Sequence, residues 1–416
     1  MIDLTSTLRG LTRLANRRVH LGVTGSVACY KAAELLRDLL ACQVHVSATL
    51  TDAAGKFVTP LLFRSLGAMP VYGAMFEDGE DPFAHLEPGQ HADALLIAPA
   101  SADTLARVAN GAASDMLSAQ VLAFDGPVLA APAMNSRMWR SAATQENVTR
   151  LAARGVTIVT PASGAMACGD VGQGRLAPLP VLLAFTLRAV APKDLAGRTA
   201  LVTMGCTREP WDGVRVWTNP STGAMGAALA MAAWLRGASV IAVAGPSVSD
   251  SLLPAGIEGV TRVNVGTARE MFEACDAAWD TCDMGMFSAA VADFSPVRYG
   301  ATKFKKAGRD TFTVDFTPNP DILKTLAARR RPDQKVLGFA AETASSDEEL
   351  MALARVKLEG KRADVVAANN VAAAGSGFGT ATNTMAVVAR DGSAAAWPAM
   401  SKADVAWDLC TWLSRQ

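Results

Sequence analysis

Residues 20–49 read HLGVTGSVACYKAAELLRDLLACQVHVSAT. The run His20–Gly25 is apolar and stops at a glycine-serine pair, the pattern of a buried strand that ends in a turn. Apolar residues at 35, 36, 39 and 40 then recur with helical spacing through Val27–Ala41, and Val44–Thr49 is strand-like again. Strand, polar loop, helix, strand is a crossover unit, and such units build parallel sheets covered by helices. The same order returns further on: strand Thr199–Met204, a loop rich in Gly, Thr, Pro and Asn, helix Gly223–Arg236, strand Ser239–Ala244. Two such starts predict an α/β chain of two doubly wound, Rossmann-like domains with parallel sheets. Asp93–Pro99, Pro127–Ala133 and Thr157–Pro161 supply further strands of the first half. A polar break with Pro and Gly at Ala191–Arg198 sets the boundary, giving an N-terminal arm (1–18), a first domain (19–190) and a second (191–416).

A chain of 416 residues exceeds what one core organises, and 50% apolar with 19% charged residues suits compact domains. Basic and acidic residues balance at 39 each, so no global field favours nucleic acid or an anionic membrane, and an anion must be held by local geometry. Apolar runs such as Ala224–Leu235 are too short to span a bilayer. Residues 1–18 carry Arg9, Arg13, Arg17 and Arg18 without the apolar stretch of a signal peptide. The seven cysteines show no Cys-x-x-Cys spacing, so reduced thiols and a cytoplasmic location are expected. All four histidines (20, 45, 85, 91) lie in the first half, so chemistry in the second half must proceed without imidazole.

The turn Gly22–Lys31 offers glycines that let a ligand approach the backbone and helix-start N–H groups that attract phosphate, although it is neither Gly-x-Gly-x-x-Gly nor a Walker loop. Ala98-Pro-Ala-Ser101-Ala-Asp103 ends another strand with small residues and a hydroxyl on which a flat ring could rest. His85, then Pro132-Ala-Met-Asn135-Ser-Arg-Met-Trp139, then Ala167-Cys168-Gly-Asp-Val-Gly-Gln-Gly-Arg175 complete the set. A cysteine among glycines suits a loop that closes over a substrate. In this order the motifs resemble the flavin-containing cysteine decarboxylases, specifically the phosphopantothenoylcysteine decarboxylase branch, across residues 19–190. The resemblance implies FMN, with its phosphate at Gly25, Ser26 and near Thr51, and its ring near Ser101 and Asp103. It makes His85 the base or orienting group, Asn135 the ligand of the substrate carboxylate, and Cys168 the proton donor on the closing flap. The implied reaction is oxidative decarboxylation of phosphopantothenoylcysteine to 4'-phosphopantetheine.

The second half carries Thr203-Met-Gly-Cys-Thr-Arg-Glu-Pro210, Thr218-Asn219-Pro-Ser-Thr-Gly223, Ala289-Ala-Val-Ala-Asp293 read as a strand with a terminal Asp, Lys303-Phe-Lys-Lys306, Asn319-Pro-Asp-Ile322, Gly338-Phe339 and Lys357 with Lys361. Lysines after a buried strand ending in Asp are a plausible triphosphate and magnesium arrangement. The order and spacing resemble the phosphopantothenate–cysteine ligases over residues 194–414. That resemblance implies CTP-dependent joining of L-cysteine to 4'-phosphopantothenate through an acyl-cytidylate. Asn219 would stabilise the acyl-cytidylate and Lys303 would assist its conversion and contact phosphate. Phe287, Ser288, Ala289, Asp293, Pro320, Asp321, Ile322, Leu323, Phe339, Lys357 and Lys361 would line the nucleotide, with Mg2+ entering beside it and Asp293 its candidate ligand. The chain departs from the family at Ala224, where a cation is usual, and at Met204, Cys206 and Asn370. The resemblance further implies trimer-based decarboxylase assemblies, often dodecamers, with ligase domains paired as dimers. Two other readings stay open: an active decarboxylase beside a weak or inactive ligase, and a flavin-binding regulatory protein. A nicotinamide dehydrogenase is disfavoured by the missing Gly-x-Gly-x-x-Gly and the missing acidic residue after the second strand.

Overall fold

The computed structural model describes residues 2–75, 81–306, 308, 310–371, 377 and 379–416. The chain forms two compact units: Leu11–Ala191, and Pro192–Gln416 together with the segment ending at Gly10.

In the first unit β1 (Arg18–Val23), β2 (His45–Leu50), β3 (Val71–Tyr72), β4 (Ala94–Ala100), β5 (Val128–Pro132) and β6 (Thr157–Ile158) form one parallel sheet in the order 3-2-1-4-5-6. A parallel strand covered on both faces needs a continuous apolar run, and β4 is buried at all seven positions. The helix Tyr30–Ala41 buries Leu35, Leu36 and Leu39 against this sheet's layer, as the spacing predicts. Its predicted start at Val27 is a 3-10 turn, Val27–Cys29, capped by the Ser26 hydroxyl. The glycine-rich segment around Cys168 is an antiparallel hairpin, β7 (Ala162–Ala165) and β8 (Val171–Arg175).

In the second unit the ranges are β9 (Thr199–Met204), β10 (Arg208–Pro210), β11 (Val216–Thr218), β12 (Ser239–Ala244), β13 (Val260–Asn264), β14 (Met284–Phe287), β15 (Phe294–Pro296), β16 (Phe316–Pro318), β17 (Lys335–Glu342), β18 (Val365–Asn370), β19 (Thr382–Ala389) and β20 (Ala394–Ser401). The main sheet runs 13-12-9-14-17-18-19-20, which repeats the first unit's order and then adds two strands. Those two, β19 and β20, pair antiparallel, so this sheet is mixed rather than wholly parallel. Two short antiparallel ribbons, β10–β11 and β15–β16, stand apart from it. The run Ala289–Ala292, expected as a strand, is a loop. The parallel ladder ends at Phe287, and beyond it Ala289 N–H donates to Thr203 Oγ1 (3.2 Å) and Ala290 N–H to Gly205 O (2.8 Å). The helix Ala224–Leu235 is buried on almost every side, which is why it reads as uniformly apolar. No helix among the described residues is long and apolar enough to cross a membrane.

The expected arm is divided between the units. Helix Leu4–Arg9, opened by an Asp3 capping box, buries Leu4 and Leu8 in the second unit. Leu4 N–H donates to Ser251 O (2.8 Å), and Gly10 O accepts from Ser401 Oγ (2.5 Å). Thr12–Leu14 forms a turn in the first unit, with Leu14 buried. Leu8→Ala should therefore destabilise the Pro192–Gln416 unit by about 2–4 kcal/mol through a core cavity. Hydrogen exchange in urea should register the loss there and leave the exchange of Leu11–Ala191 unchanged; loss confined to the first unit would contradict the placement.

Candidate functional sites

In an open α/β sheet ligands bind beyond the strands' carboxyl ends, where the strand order reverses. In the first unit that point lies between β1 and β4. Thr24, fully buried, donates to Pro99 O (2.7 Å) and accepts from Ser101 N–H (2.9 Å), locking the two loops together. Ser101 caps the helix Ala102–Ala109 by accepting from Thr104 N–H (3.2 Å). Asp103, in that helix's first turn, is mostly exposed and pairs with Arg107 (3.0 Å). A Cβ on Gly25 would lie 2.5 Å from the Ala53 Cβ, so the turns after β1 and β2 touch. Thr51 stands at that junction, its hydroxyl accepting from Ala54 N–H (3.3 Å). Gly25, Ser26, Thr51, Ser101 and Asp103 thus sit past the ends of three adjacent strands, and their hydroxyls and helix-start amides are donors that suit a phosphate ester.

Beside them is a cavity of about 360 Å³ edged by Ser26, Tyr30, Lys31, Asn135, Cys168 and Arg175. Asn135 caps the helix Ser136–Arg140 through its carbonyl, which accepts from Arg137 N–H (2.8 Å). That fixes its amide nitrogen, which donates to Cys168 Sγ (3.2 Å) and to Asp170 Oδ2 (2.6 Å). The Asn135 amide and then the Arg137 guanidinium (3.1 Å) hold the Asp170 carboxyl below its usual range. Met134 N–H donates to Gly174 O (2.9 Å), and at Gly174 (φ +145) a Cβ would stand 2.4 Å from Met134 O. The hairpin therefore rests backbone to backbone on the Asn135 segment, with Cys168 exposed at its turn.

His85 does not line this cavity. It is half-buried in a short turn whose neighbour Ala84 is fixed from beneath: Ala84 O accepts from Gln120 Nε2 (3.1 Å). Gln120 is fully buried, and its Oε1 accepts from Thr49 Oγ1 (2.6 Å) and lies 3.2 Å from His20 Nε2. His20 is buried too, with Nδ1 2.8 Å from Ser47 Oγ. Burial pushes its imidazole down to about 4, against a smaller opposing pull from Gln120.

The second unit repeats the arrangement at the ends of β9, β14 and β17, around a cavity of about 420 Å³. Phe287, Ala289, Asp293, Phe339, Lys357 and Lys361 reach it. So do the Pro320–Leu323 turn and Asn219, whose amide donates to Val291 O (3.1 Å). Asp321 caps the helix Ile322–Ala328 and pairs with Lys361, while Lys357 pairs with Glu342 (2.6 Å). Ser288 and Lys303 are not brought to the cavity: the Ser288 hydroxyl donates to Thr203 O (2.7 Å), and Lys303 is exposed on the segment before β16. No group of three or more His, Cys, Asp or Glu side chains that could hold a metal occurs among the described residues, and Asp293 is exposed.

A family model described as Flavoprotein matches residues 8–191, and one described as DNA/pantothenate metabolism flavoprotein C-terminal domain matches residues 195–416. The coenzyme A biosynthesis bifunctional protein CoaBC of Vibrio vulnificus (strain YJ016) is 40% identical over 398 residues, 95% of this chain and 97% of that protein. The chain belongs to the CoaBC family. CoaBC of Escherichia coli (strain K12) is 40% identical over 91% of this chain and 92% of its own length, and that of Bacillus subtilis (strain 168) 38% over 95% and 96%.

In this CoaBC family member the sequence motifs include Ser26, Asn135 and Cys168 at the first cavity and Asn219, Asp293 and Lys357 at the second, while His85, Ser288 and Lys303 line neither and the residues beneath carried no signal. Asp170 lay inside the quoted cysteine motif without being singled out, and His20 and Gln120 gave no motif at all. The His20 network makes a pH prediction. In the unfolded chain an imidazole takes its proton near pH 6.5. Buried His20 refuses it until about 4. Stability from this residue is present above pH 6.5 and lost as pH falls towards 4, by up to about 3 kcal/mol. Comparing urea melts of the parent and His20→Asn at pH 7 and pH 4.5 should show the parent losing more; parallel losses would contradict a neutral buried imidazole.

Proposed function

We propose that the protein is a bifunctional enzyme of coenzyme A biosynthesis in which the second unit makes the substrate of the first. The second unit joins L-cysteine to 4'-phosphopantothenate at the expense of CTP through an acyl-cytidylate. The first decarboxylates the phosphopantothenoylcysteine so formed to 4'-phosphopantetheine. The observation that carries the reading is the meeting of Asn135 and Cys168, 33 residues apart, at one cavity beside Ser26.

FMN fits the first crevice, with Gly25, Ser26 and Thr51 taking the phosphate and Ser101 and Asp103 beside the ring. Bound there it would supply reversible two-electron redox chemistry at the thiol-bearing carbon. The Asn135 amide, now shared between Cys168 and Asp170, is the donor that a substrate carboxylate would claim. Cys168, on the hairpin turn, would deliver a proton from Sγ to the decarboxylated carbon. His85 is assigned the base or orienting role on the family resemblance. In the second cavity Lys357 and Lys361 would exchange their carboxylate partners for phosphate oxygens, and Asn219 would hold the activated acyl group. Magnesium would enter with the triphosphate and take most of its ligands from it, with Asp293 at hand. A homo-oligomer, trimer-based with paired ligase units, fits exposed apolar side chains such as Met69 (83%) and Leu122 (61%) in the first unit and Trp217 (54%) in the second.

Two substitutions test the division of labour. Lys303→Gln should slow ligation ~100-fold or more, since a neutral amide cannot stabilise developing phosphate charge. The same variant should decarboxylate supplied phosphopantothenoylcysteine at the parental rate. Asn135→Asp should do the reverse, because like charges in a cavity of reduced dielectric repel by several kcal/mol. Its flavin should stay bound while phosphopantothenoylcysteine accumulates. A parent that never ligates, even with a cation restored by Ala224→Lys, would favour the reading with an inactive ligase half.

A further inference from the structure

The turn between β10 and β11 and the lysine-bearing segment that follows β15 meet on one buried carboxylate. The Asp212 side chain is 0% exposed. Its Oδ1 accepts from the N–H groups of Val214 (2.8 Å) and Arg215 (2.6 Å). Its Oδ2 accepts from Arg215 Nη1 (2.6 Å) and from the N–H of Phe304 (2.9 Å). Three of these donors belong to Asp212's own turn. The fourth is 92 residues away and adjoins Lys303. Burial opposes ionisation of Asp212, yet the amides of Phe304, Arg215 and Val214 and the Arg215 guanidinium outweigh it and hold the carboxyl well below its usual range.

The surroundings press the same two segments together. Arg215 Nη1 also donates to Phe304 O (3.3 Å), so both backbone groups of Phe304 are tied to the turn. Tyr299 N–H donates to Trp211 O (2.7 Å). The Trp211 ring stacks on Phe312 (5.3 Å, 15°) and meets Phe304 at 5.2 Å. A Cβ on Gly213 would fall 2.1 Å from Ala301 O, so only glycine lets the turn and the segment lie this close. Lys303 itself is exposed and makes none of these contacts. A four-carbon side chain reaches one target reproducibly only if its Cα is fixed, and here the fixing is done by the next residue's amide.

We infer that Asp212 is the positioning residue of the ligation site: by binding the Phe304 amide it sets where Lys303 stands relative to the nucleotide cavity, without touching substrate. This rests on the assignment of Lys303 to ligation made above. Nothing in the sequence singles out Asp212, whose partners lie on two segments.

The test is a double-mutant cycle on the full-length protein. Asp212→Asn keeps the shape but sets an NH2 group against donors. Its ligation kcat should fall roughly 10- to 100-fold, with the KM for CTP changed less than about threefold, because the cavity-lining side chains are untouched. Decarboxylation of supplied phosphopantothenoylcysteine should stay at the parental rate. In a Lys303→Gln background, Asp212→Asn should cost less than about threefold more, since the residue it positions is already gone. Trypsin should also cut the Lys303–Lys306 segment faster in Asp212→Asn. Parental kcat in Asp212→Asn, or a full multiplicative loss in the double variant, would overturn the inference. If Asp212→Asn loses its cooperative melt, Asp212→Glu, which keeps the charge and shifts it by one carbon, takes its place in the cycle under the same criteria. The two failures are distinguishable: if Lys303→Gln ligates like the parent, the Lys303 assignment falls; if it does not and the cycle is additive, only the Asp212 inference falls.

Discussion

Parallel strands can pair only if the chain crosses back between them, so every strand of such a sheet points its carboxyl end at the same edge. Most of what this protein can do depends on that constraint. In both units it gathers loops of distant sequence onto one rim, and the reversal of strand order at β1/β4 and again at β9/β14 opens a crevice there. Ser26, Ser101 and Asn135 meet at one rim because they follow β1, β4 and β5. Asn219 and Asp293 meet at the other because they follow the β10–β11 ribbon and β14, and Phe339 joins them from within β17. The same scaffold thus carries two different chemistries, decided only by the side chains placed on the rims.

The two rims share a second feature. In each, one side chain to which the family resemblance gives a role stands outside the cavity, and its chain neighbour is bound to a buried polar group. For His85 the neighbour is Ala84 and the group is Gln120, itself fixed by Thr49 and lying against His20. For Lys303 the neighbour is Phe304 and the group is Asp212. Buried polar groups must be satisfied, and satisfying them with the backbone of a surface loop gives that loop a fixed origin. The hairpin carrying Cys168 is fixed differently, through the Gly174 and Met134 backbones, which leaves its turn exposed.

Much of this was legible in the sequence. The strands Thr199–Met204 and Ser239–Ala244 fall where the apolar runs place them, since a strand buried on both faces leaves an unbroken signal. Ser26 and Asn135 edge the first cavity for a local reason: each sits three residues past the end of its strand. What the sequence hid is what depends on distant partners. The run Ala289–Ala292 reads as strand because alanine fits a sheet and a tight loop equally, and only its bonds to Thr203 and Gly205 decide. Of the two antiparallel strands, β19 is as buried as the parallel strands beside it, so burial alone does not reveal its direction. His20 in an apolar run, Gln120 in a helix and Asp212 in a turn carry no periodicity that announces a network spanning as many as 100 residues.

Both activities on one chain would couple nucleotide-driven ligation to decarboxylation. The direct measurement supplies 4'-phosphopantothenate, carboxyl-labelled L-cysteine and CTP, and follows labelled carbon dioxide together with CMP. The two should appear in equal amounts at completion, with no carbon dioxide when CTP is withheld. Carbon dioxide released without nucleotide, or CMP formed with no carbon dioxide by a flavin-loaded protein, would contradict the coupling.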